Sequence, residues 1–197
     1  MKIIAAVFGA LVLLVLAVGV WAVGSYNGLV GGRENVNKAW AQVESQYQRR
    51  FDLIPNLVET VKGSAKFEKD TLTAVVDARS RVGSVTLDKS ALNDPAAFKK
   101  FEEAQAGLSS ALSRLMVVVE KYPDIKSTQG FRDLQVQLEG TENRIAVARK
   151  DFNDAAQDYN TAIKTFPAAL IAGFGGFKER PYFSAAPAAA QAPAVKF

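Results

Sequence analysis

The sequence predicts an all-α protein: an N-terminal transmembrane helix followed by an antiparallel up-down four-helix bundle. Three observations predict it. An unbroken apolar run occupies residues 3–24. Downstream, apolar side chains recur at three- and four-residue spacings, the period of a helix with one buried face. No stretch of comparable length alternates polar and apolar residues as a half-buried strand does.

The apolar run, "IIAAVFGALVLLVLAVGVWAVG", is 22 residues without a charged or strongly polar side chain. As a helix it is long enough to cross a hydrocarbon core of about 30 Å. Trp21 and Tyr26 stand near its end, where amphipathic rings favour the membrane interface. Lys2 gives the start a signal-like positive charge. The run exceeds the ~7–15 apolar residues of a signal peptide, and Ala22-Val23-Gly24 is a poor cleavage site. The expectation is an uncleaved anchor over residues 1–25. Lys2 on one side and Arg33 and Lys38 on the other nearly balance the positive-inside count. The signal-like start leans the rest of the chain toward the periplasmic side.

A bundle domain is expected over residues 26–167. Gly28, Gly31 and Gly32 weaken helix locally, so "SYNGLVGGRENV" is either a flexible neck or a continued helix. From Arg33 onward, Val36, Trp40, Val43, Tyr47, Arg50, Ile54, Leu57 and Val61 form one stripe. A second run holds Leu72, Val75, Arg79 and Val82. Between them, Gly63 either turns the chain, giving four helices, or only interrupts a first helix of about 50 residues. "VGSVTLDKSALNDP" reads as a loop, with Asn93 or Asp94 capping a third helix and Pro95 in its first turn. That helix carries Phe98, Phe101, Ala104 or Gln105, Leu108, Leu112, Leu115 and Val119, and "YPDIKSTQG" breaks it. The last helix keeps a three-four alternation from Phe131 through Leu138, Thr141, Ile145, Phe152 and Tyr159 to Phe166, closed by Pro167. Such a strict heptad marks a bundle or coiled-coil seam. Residues 168–184 form an apolar Gly/Phe-rich tail expected near the membrane. Residues 185–197 are Ala/Pro-rich and expected to be disordered.

Composition narrows the chemistry. The 197 residues contain no cysteine and no histidine. This removes disulfides, thiolate nucleophiles, the commonest general base and the commonest transition-metal ligand. The net charge of +4 is dispersed, with lysines and arginines interleaved with acids. That is unlike the clustered basic face of a nucleic-acid binder. Glu59, Glu142 and Asp52 are carboxylates of the kind that suits a hard cation, but their spacing matches no loop site. The expectation is no enzyme activity, no cofactor, no metal and no nucleic-acid partner.

The polar exception is "QRRFDLIPN". Arg50 falls on the apolar stripe, and a buried arginine needs a partner, for which a carboxylate suits its fork. Matching the helix ends antiparallel puts Thr141–Ile145 level with Tyr47–Arg50. Arg49 or Arg50 is therefore expected to meet Glu142, with Asp52 and Asn143 completing a network. Pro55 removes an amide donor and frees the carbonyl of Phe51, an acceptor that a nearby arginine can satisfy. The alternative is that these charges lie on solvated faces.

Residues 26–63, "YNGLVGGRENVNKAWAQVESQYQRRFDLIPNLVETVKG", resemble the defining stretch of the LemA family. "EKYPDIKS", "LEGTENRIAVARKDFN", "FPAALIAGFGGF" and "PYF" are similar to its further signatures, in collinear order over residues 1–183. One departure is Phe67-Glu68, where members often carry a His-Glu pair. The resemblance implies a bacterial single-pass inner-membrane protein with a four-helix domain, which favours the turn at Gly63, and it implies no catalytic activity. It marks Arg49, Arg50, Asp52, Pro55, Asn56, Glu142, Asn143 and Arg144 as motif positions without assigning them a chemistry. The expected function is a membrane-anchored scaffold that self-assembles as a homo-oligomer or binds another membrane or envelope protein. The long seam and the small residues Ala155, Ala156 and Ala162 favour it. The alternative is a sensory module holding an anionic ligand or lipid headgroup near Arg49 and Glu142.

Overall fold

A computed structural model of the chain describes residues 2–63, 67–85 and 92–184. The tail expected to be disordered, 185–197, and residues 86–91 of the expected loop lie outside the described residues. Among the described residues there are six α-helices and no strand: α1 (Lys2–Lys62), α2 (Lys69–Ser84), α3 (Pro95–Val119), α4 (Pro123–Lys126), α5 (Gln129–Lys164) and α6 (Ala168–Phe174). They fall into two compact units, Met1–Lys38 with Asp154–Arg180, and Ala39–Asn153 with Pro181–Phe197.

In the first unit, α1 stays helical through Gly28, Gly31 and Gly32, so of the two readings of this stretch the continued helix is the one found. Its apolar stretch is the one helix segment among the described residues long and apolar enough to cross a membrane, and none of it is buried in the protein. Beyond it, Leu29 and Val36 are buried, and the ring of Tyr159 lies where a side chain at Gly32 would touch it, 3.4 Å away. α6 closes with a left-handed glycine. Gly176 has φ +66°, and the Phe177 amide donates back to the Ala172 carbonyl at 3.1 Å. This six-to-one bond is the Schellman ending that only glycine adopts at low cost.

In the second unit, α1 ends at Lys62 and Gly63 lies in a turn. α3 begins as its sequence dictates. Asp94 accepts from the amides of Ala96 and Ala97 at 2.9 and 3.3 Å, and Pro95 takes the first helical position, where no amide is required. "YPDIK" is not only a break: α4 forms one turn that buries Ile125. A shared core joins Ile54, Leu57 and Val61 of α1 with Val75 and Val82 of α2. Leu108, Leu115 and Val119 of α3 and Phe131 and Leu138 of α5 complete it.

A second, aromatic core surrounds Trp40. Its ring lies 5.5–6.2 Å, centroid to centroid, from those of Phe98, Phe101, Phe152 and Phe183. Phe183 comes from an extended C-terminal segment held by side chains. Asn153 donates to the Phe183 carbonyl at 3.0 Å and accepts from its amide at 2.9 Å. The Arg149 guanidinium lies 4.5 Å from the Phe183 ring centroid and donates to the Ser184 carbonyl at 2.9 Å. Glu102 accepts from the Ser184 amide at 3.0 Å. One heptad further along α5, within the first unit, Asn160 repeats the two-way pairing with Arg180, at 2.8 Å in both directions.

The seam on α5 departs from the strict heptad. Positions 131, 138, 145, 152 and 159 are buried as expected, but after Phe152 the buried face widens to take in Ala156, Asn160 and Ile163, while Ala155 and Ala162 are only half-buried. An α-helix turns every 3.6 residues, so a 3.5-residue stripe drifts off the buried face over several turns. α5 also ends at Lys164, which leaves Phe166 outside the helix and exposed.

Candidate functional site

The site is built round Arg50, a charged side chain in an apolar seam. α1 places it one turn after Tyr47 and one turn before Ile54, all three buried. Its side chain is 1% exposed. An arginine so far from water needs acceptors for its donors, and two helices, α3 and α5, supply them. Nη1 donates to the Ser109 hydroxyl at 2.6 Å and to Glu142 Oε1 at 2.7 Å. Nη2 donates to the main-chain carbonyl of Gln105 at 3.3 Å and to the Gln105 side-chain oxygen. The Tyr47 ring lies 5.0 Å from the guanidinium carbon, an added cation–π contact. Nε is buried and meets no protein acceptor among the described residues.

The electrostatics are one-sided. Arg50 is sealed, while the Glu142 side chain is 42% exposed. Glu142 lies in a groove of about 430 Å³ shared by α3 and α5, with Ser109, Ser113, Met116 and Asn143. Burial also holds the Tyr47 phenol above its ordinary pKa, partly countered by the charges of Arg149 and Arg50.

The motif positions separate into an inner and an outer set. Arg50 and Glu142 form the inner pair. Arg49 points away from it and is exposed, as are Asp52, Pro55, Asn56, Asn143 and Arg144. Asp52 takes no part in the Arg50 network and accepts instead from Gln48 of its own helix at 2.8 Å. Arg49, Asp52 and Asn56 line an open groove of about 550 Å³ with Gln137 of α5. Asn143 and Arg144 line a further one with Gln42 and Gln46. The outer set therefore marks the flank where α1 and α5 run side by side.

Pro55 leaves the Phe51 carbonyl without its helical donor. Arg79 of α2 supplies one: its Nε donates to that carbonyl at 3.4 Å, and its guanidinium lies 3.8 Å from the Phe51 ring centroid. The satisfying arginine is thus neither Arg49 nor Arg50. Ser109 was hidden in the sequence, while Gln105 stood on the expected stripe of α3 as the alternative to Ala104. The signal of both is a polar pair four residues apart, Gln105 on the stripe and Ser109 beside it. Of the small residues, Ala156 is fully buried, so this part of α5 faces the protein's own core.

Chemically, the inner pair is a fixed charge whose Nη1 and Nη2 are already engaged by protein atoms. An anion entering either outer groove reaches Arg49 or Arg144, not Arg50.

Comparison with known proteins adds the following. A sequence model described as the LemA family matches residues 39–197. The chain is 33% identical over 179 residues to magnetosome protein MamQ 2 of Paramagnetospirillum magneticum, covering 83% of this chain and 66% of that protein. It is 32% identical over the same shares to magnetosome protein MamQ of Magnetospirillum gryphiswaldense. Protein LemA of Metamycoplasma hominis is 23% identical over 155 residues, 77% of this chain and 67% of that protein. The chain thus spans just under two thirds of the length of the MamQ relatives.

Proposed function

Because this chain belongs to the LemA family, we propose that it is a membrane-anchored helical scaffold that self-assembles through the α1–α5 flank. The apolar stretch of α1 is its single anchor, in the inner membrane of a bacterium, with the helical domain on the periplasmic side. Residues 26–167 form the working domain, an antiparallel four-helix bundle. Three contacts support that layout. Trp40 meets Phe152, Arg50 meets Glu142, and Leu57 shares a core with Phe131, so the pairing descends along α5 as it ascends along α1. The relatives named as magnetosome proteins support the coarse part of this reading, a membrane-associated helical protein.

The observation that carries the scaffold reading is the separation of the motif. Its one buried charge, on α1, takes acceptors from α3 and α5 and so fixes the register of the three helices, the best-attested use of such a group. Its remaining polar residues lie exposed along one flank, where a protein surface can engage them. Arg49, Asp52, Asn56, Asn143 and Arg144 mix donors, acceptors and both charges, the composition of a polar rim rather than of an anion pocket.

The test is mass measurement of the full chain released into nanodiscs, with and without Arg49→Glu combined with Arg144→Glu. The expected result is an oligomer that the double variant reduces to monomer while its helicity is kept. A wild-type monomer with no co-purifying envelope protein overturns the assembly reading.

A further inference from the structure

We infer that α6 is a second membrane contact: an interfacial wedge seated in the headgroup layer beside the point where α1 leaves the bilayer. This rests on the reading of α1 as the anchor, and adds a lipid-facing site in a different part of the chain. Phe166, Leu170 and Phe174 are 77%, 54% and 94% exposed. Leu170 and Phe174, four residues apart on α6, share one face, Phe166 stands two residues before that helix, and each presents a large apolar side chain that no part of the first unit covers. Single exposed apolar residues need no explanation, but two on one face of α6 with a third just before it mark an interaction surface.

What covers that face is indicated by where it sits. The Phe177 ring packs edge-on against Tyr26, with centroids 5.4 Å apart, and Arg33 lies 5.3 Å from the Phe177 ring centroid. Tyr26 stands two residues beyond the apolar run 3–24, the position of an interfacial aromatic anchor. The Tyr26–Phe177 contact therefore sets the height of α6, which ends three residues before Phe177. The Schellman turn at Gly176 sends Phe177 inward while Phe174 stays outside.

The length excludes a second crossing. Residues 166–177 are twelve residues without a charge. A spanning helix needs about 20, and an apolar stretch of about 10–14 fits a buried or interfacial segment. Here the exposed face removes the buried option. Lysines bracket the stretch: Lys164 and Lys178 flank it, and Lys164 pairs with Glu179 at 2.7 Å. Long cationic side chains at this position lay their stems on apolar surface and keep their charge among headgroups. The occupant is thus the interfacial layer of the bilayer that holds α1.

The chain has no cysteine, so single-cysteine spin labels report one position each. The full chain is reconstituted in phosphatidylcholine vesicles containing one fifth phosphatidylglycerol. Labels are placed at Phe166→Cys, Leu170→Cys and Phe174→Cys, with Leu13→Cys as the anchor reference and Asp158→Cys as the aqueous reference. Relaxation by oxygen, which concentrates in lipid, is compared with relaxation by a water-soluble nickel chelate. The expected oxygen-to-nickel ratios at 166, 170 and 174 lie several-fold above that at 158, below or equal to that at 13. If position 174 matches 158 while 13 remains in lipid, the wedge is overturned and the anchor stands. If 13 itself is aqueous, both fall.

Discussion

Arg79, on α2, donates to the main-chain carbonyl of Phe51, on α1, at 3.4 Å, and this carbonyl is the one that Pro55 deprives of its helical partner. A helix-breaking residue and an arginine 24 positions later are therefore two halves of one device. Proline in a helix interior costs about 3 kcal/mol, and a partner for the orphaned carbonyl offsets part of it.

The first prediction is a coupling between these positions. Arg79→Met is expected to destabilise by about 1–2 kcal/mol, from a lost hydrogen bond and a cation–π contact. In a Pro55→Ala background, where residue 55 again donates to Phe51, the same substitution should cost about 1 kcal/mol less. Denaturant unfolding of the four variants measures the cycle. Strict additivity would show that Arg79 does not serve that carbonyl.

The second concerns the inner pair. Glu142→Ala leaves Arg50 buried with one acceptor fewer. The expected cost is at the lower end of the ~3–5 kcal/mol found when one partner of a buried pair is removed, because Gln105 and Ser109 continue to accept. Arg49→Met, on an exposed position, should fall within about ±0.5 kcal/mol. Equal effects at 49 and 142 would contradict the division into inner and outer residues.

A third prediction follows from Tyr47, whose pKa burial raises above its ordinary value of 10.0. In the unfolded chain the phenol ionises near pH 10, while in the folded chain it still holds its proton. The unfolded state then binds fewer protons, so stability falls as pH rises. The contribution is complete below pH 10 and declines as pH climbs through the folded-state value. Tyr159, raised by burial and countered by Arg180 and Arg33, acts in the same direction. Tyr47→Phe should flatten the alkaline loss of melting temperature. An unchanged slope between neutral pH and pH 11 would exclude Tyr47 as its source.

The C-terminal segment provides a fourth. Phe183→Ala empties the aromatic core at Trp40 and should cost about 3–5 kcal/mol. Asn153→Ala removes both hydrogen bonds to Phe183 and should cost about 1–3 kcal/mol. Near-ultraviolet circular dichroism of Trp40 provides a second readout. A variant with intact stability would show that the segment is only laid on the surface.

Much of this was legible because helical period and charge placement are local properties. The stripe from Val36 to Val61 is where the core lies, and an arginine on that stripe had to be paired. Antiparallel register then pointed to Glu142, and Arg50 meets it. Three things were not legible. Arg79 showed only as a polar residue on an apolar run, because its target carbonyl becomes available through a proline on another helix. Ser109 looked like a surface residue, and Gln105, although a candidate for the stripe of α3, carries no charge that demands a partner. The role of "PYF" depended on contacts such as Asn153 to Phe183, 30 residues apart, which no periodicity encodes. The drift of the α5 seam after Phe152 arose from the mismatch between 3.5 and 3.6 residues per turn.

The hold of Asn153 and Glu102 on the last described residues also sets an order of events in the cell. Trp40, Phe98, Phe101 and Phe152 all leave the ribosome before Phe183, since domains emerge N-terminal end first. Their shared core lacks its fifth ring until residue 183 has been made. Any product that stops short of residue 183 keeps an open aromatic cluster, a form that proteases and chaperones recognise by exposed apolar surface. Closure of this pocket therefore reports that the chain has been made through residue 183.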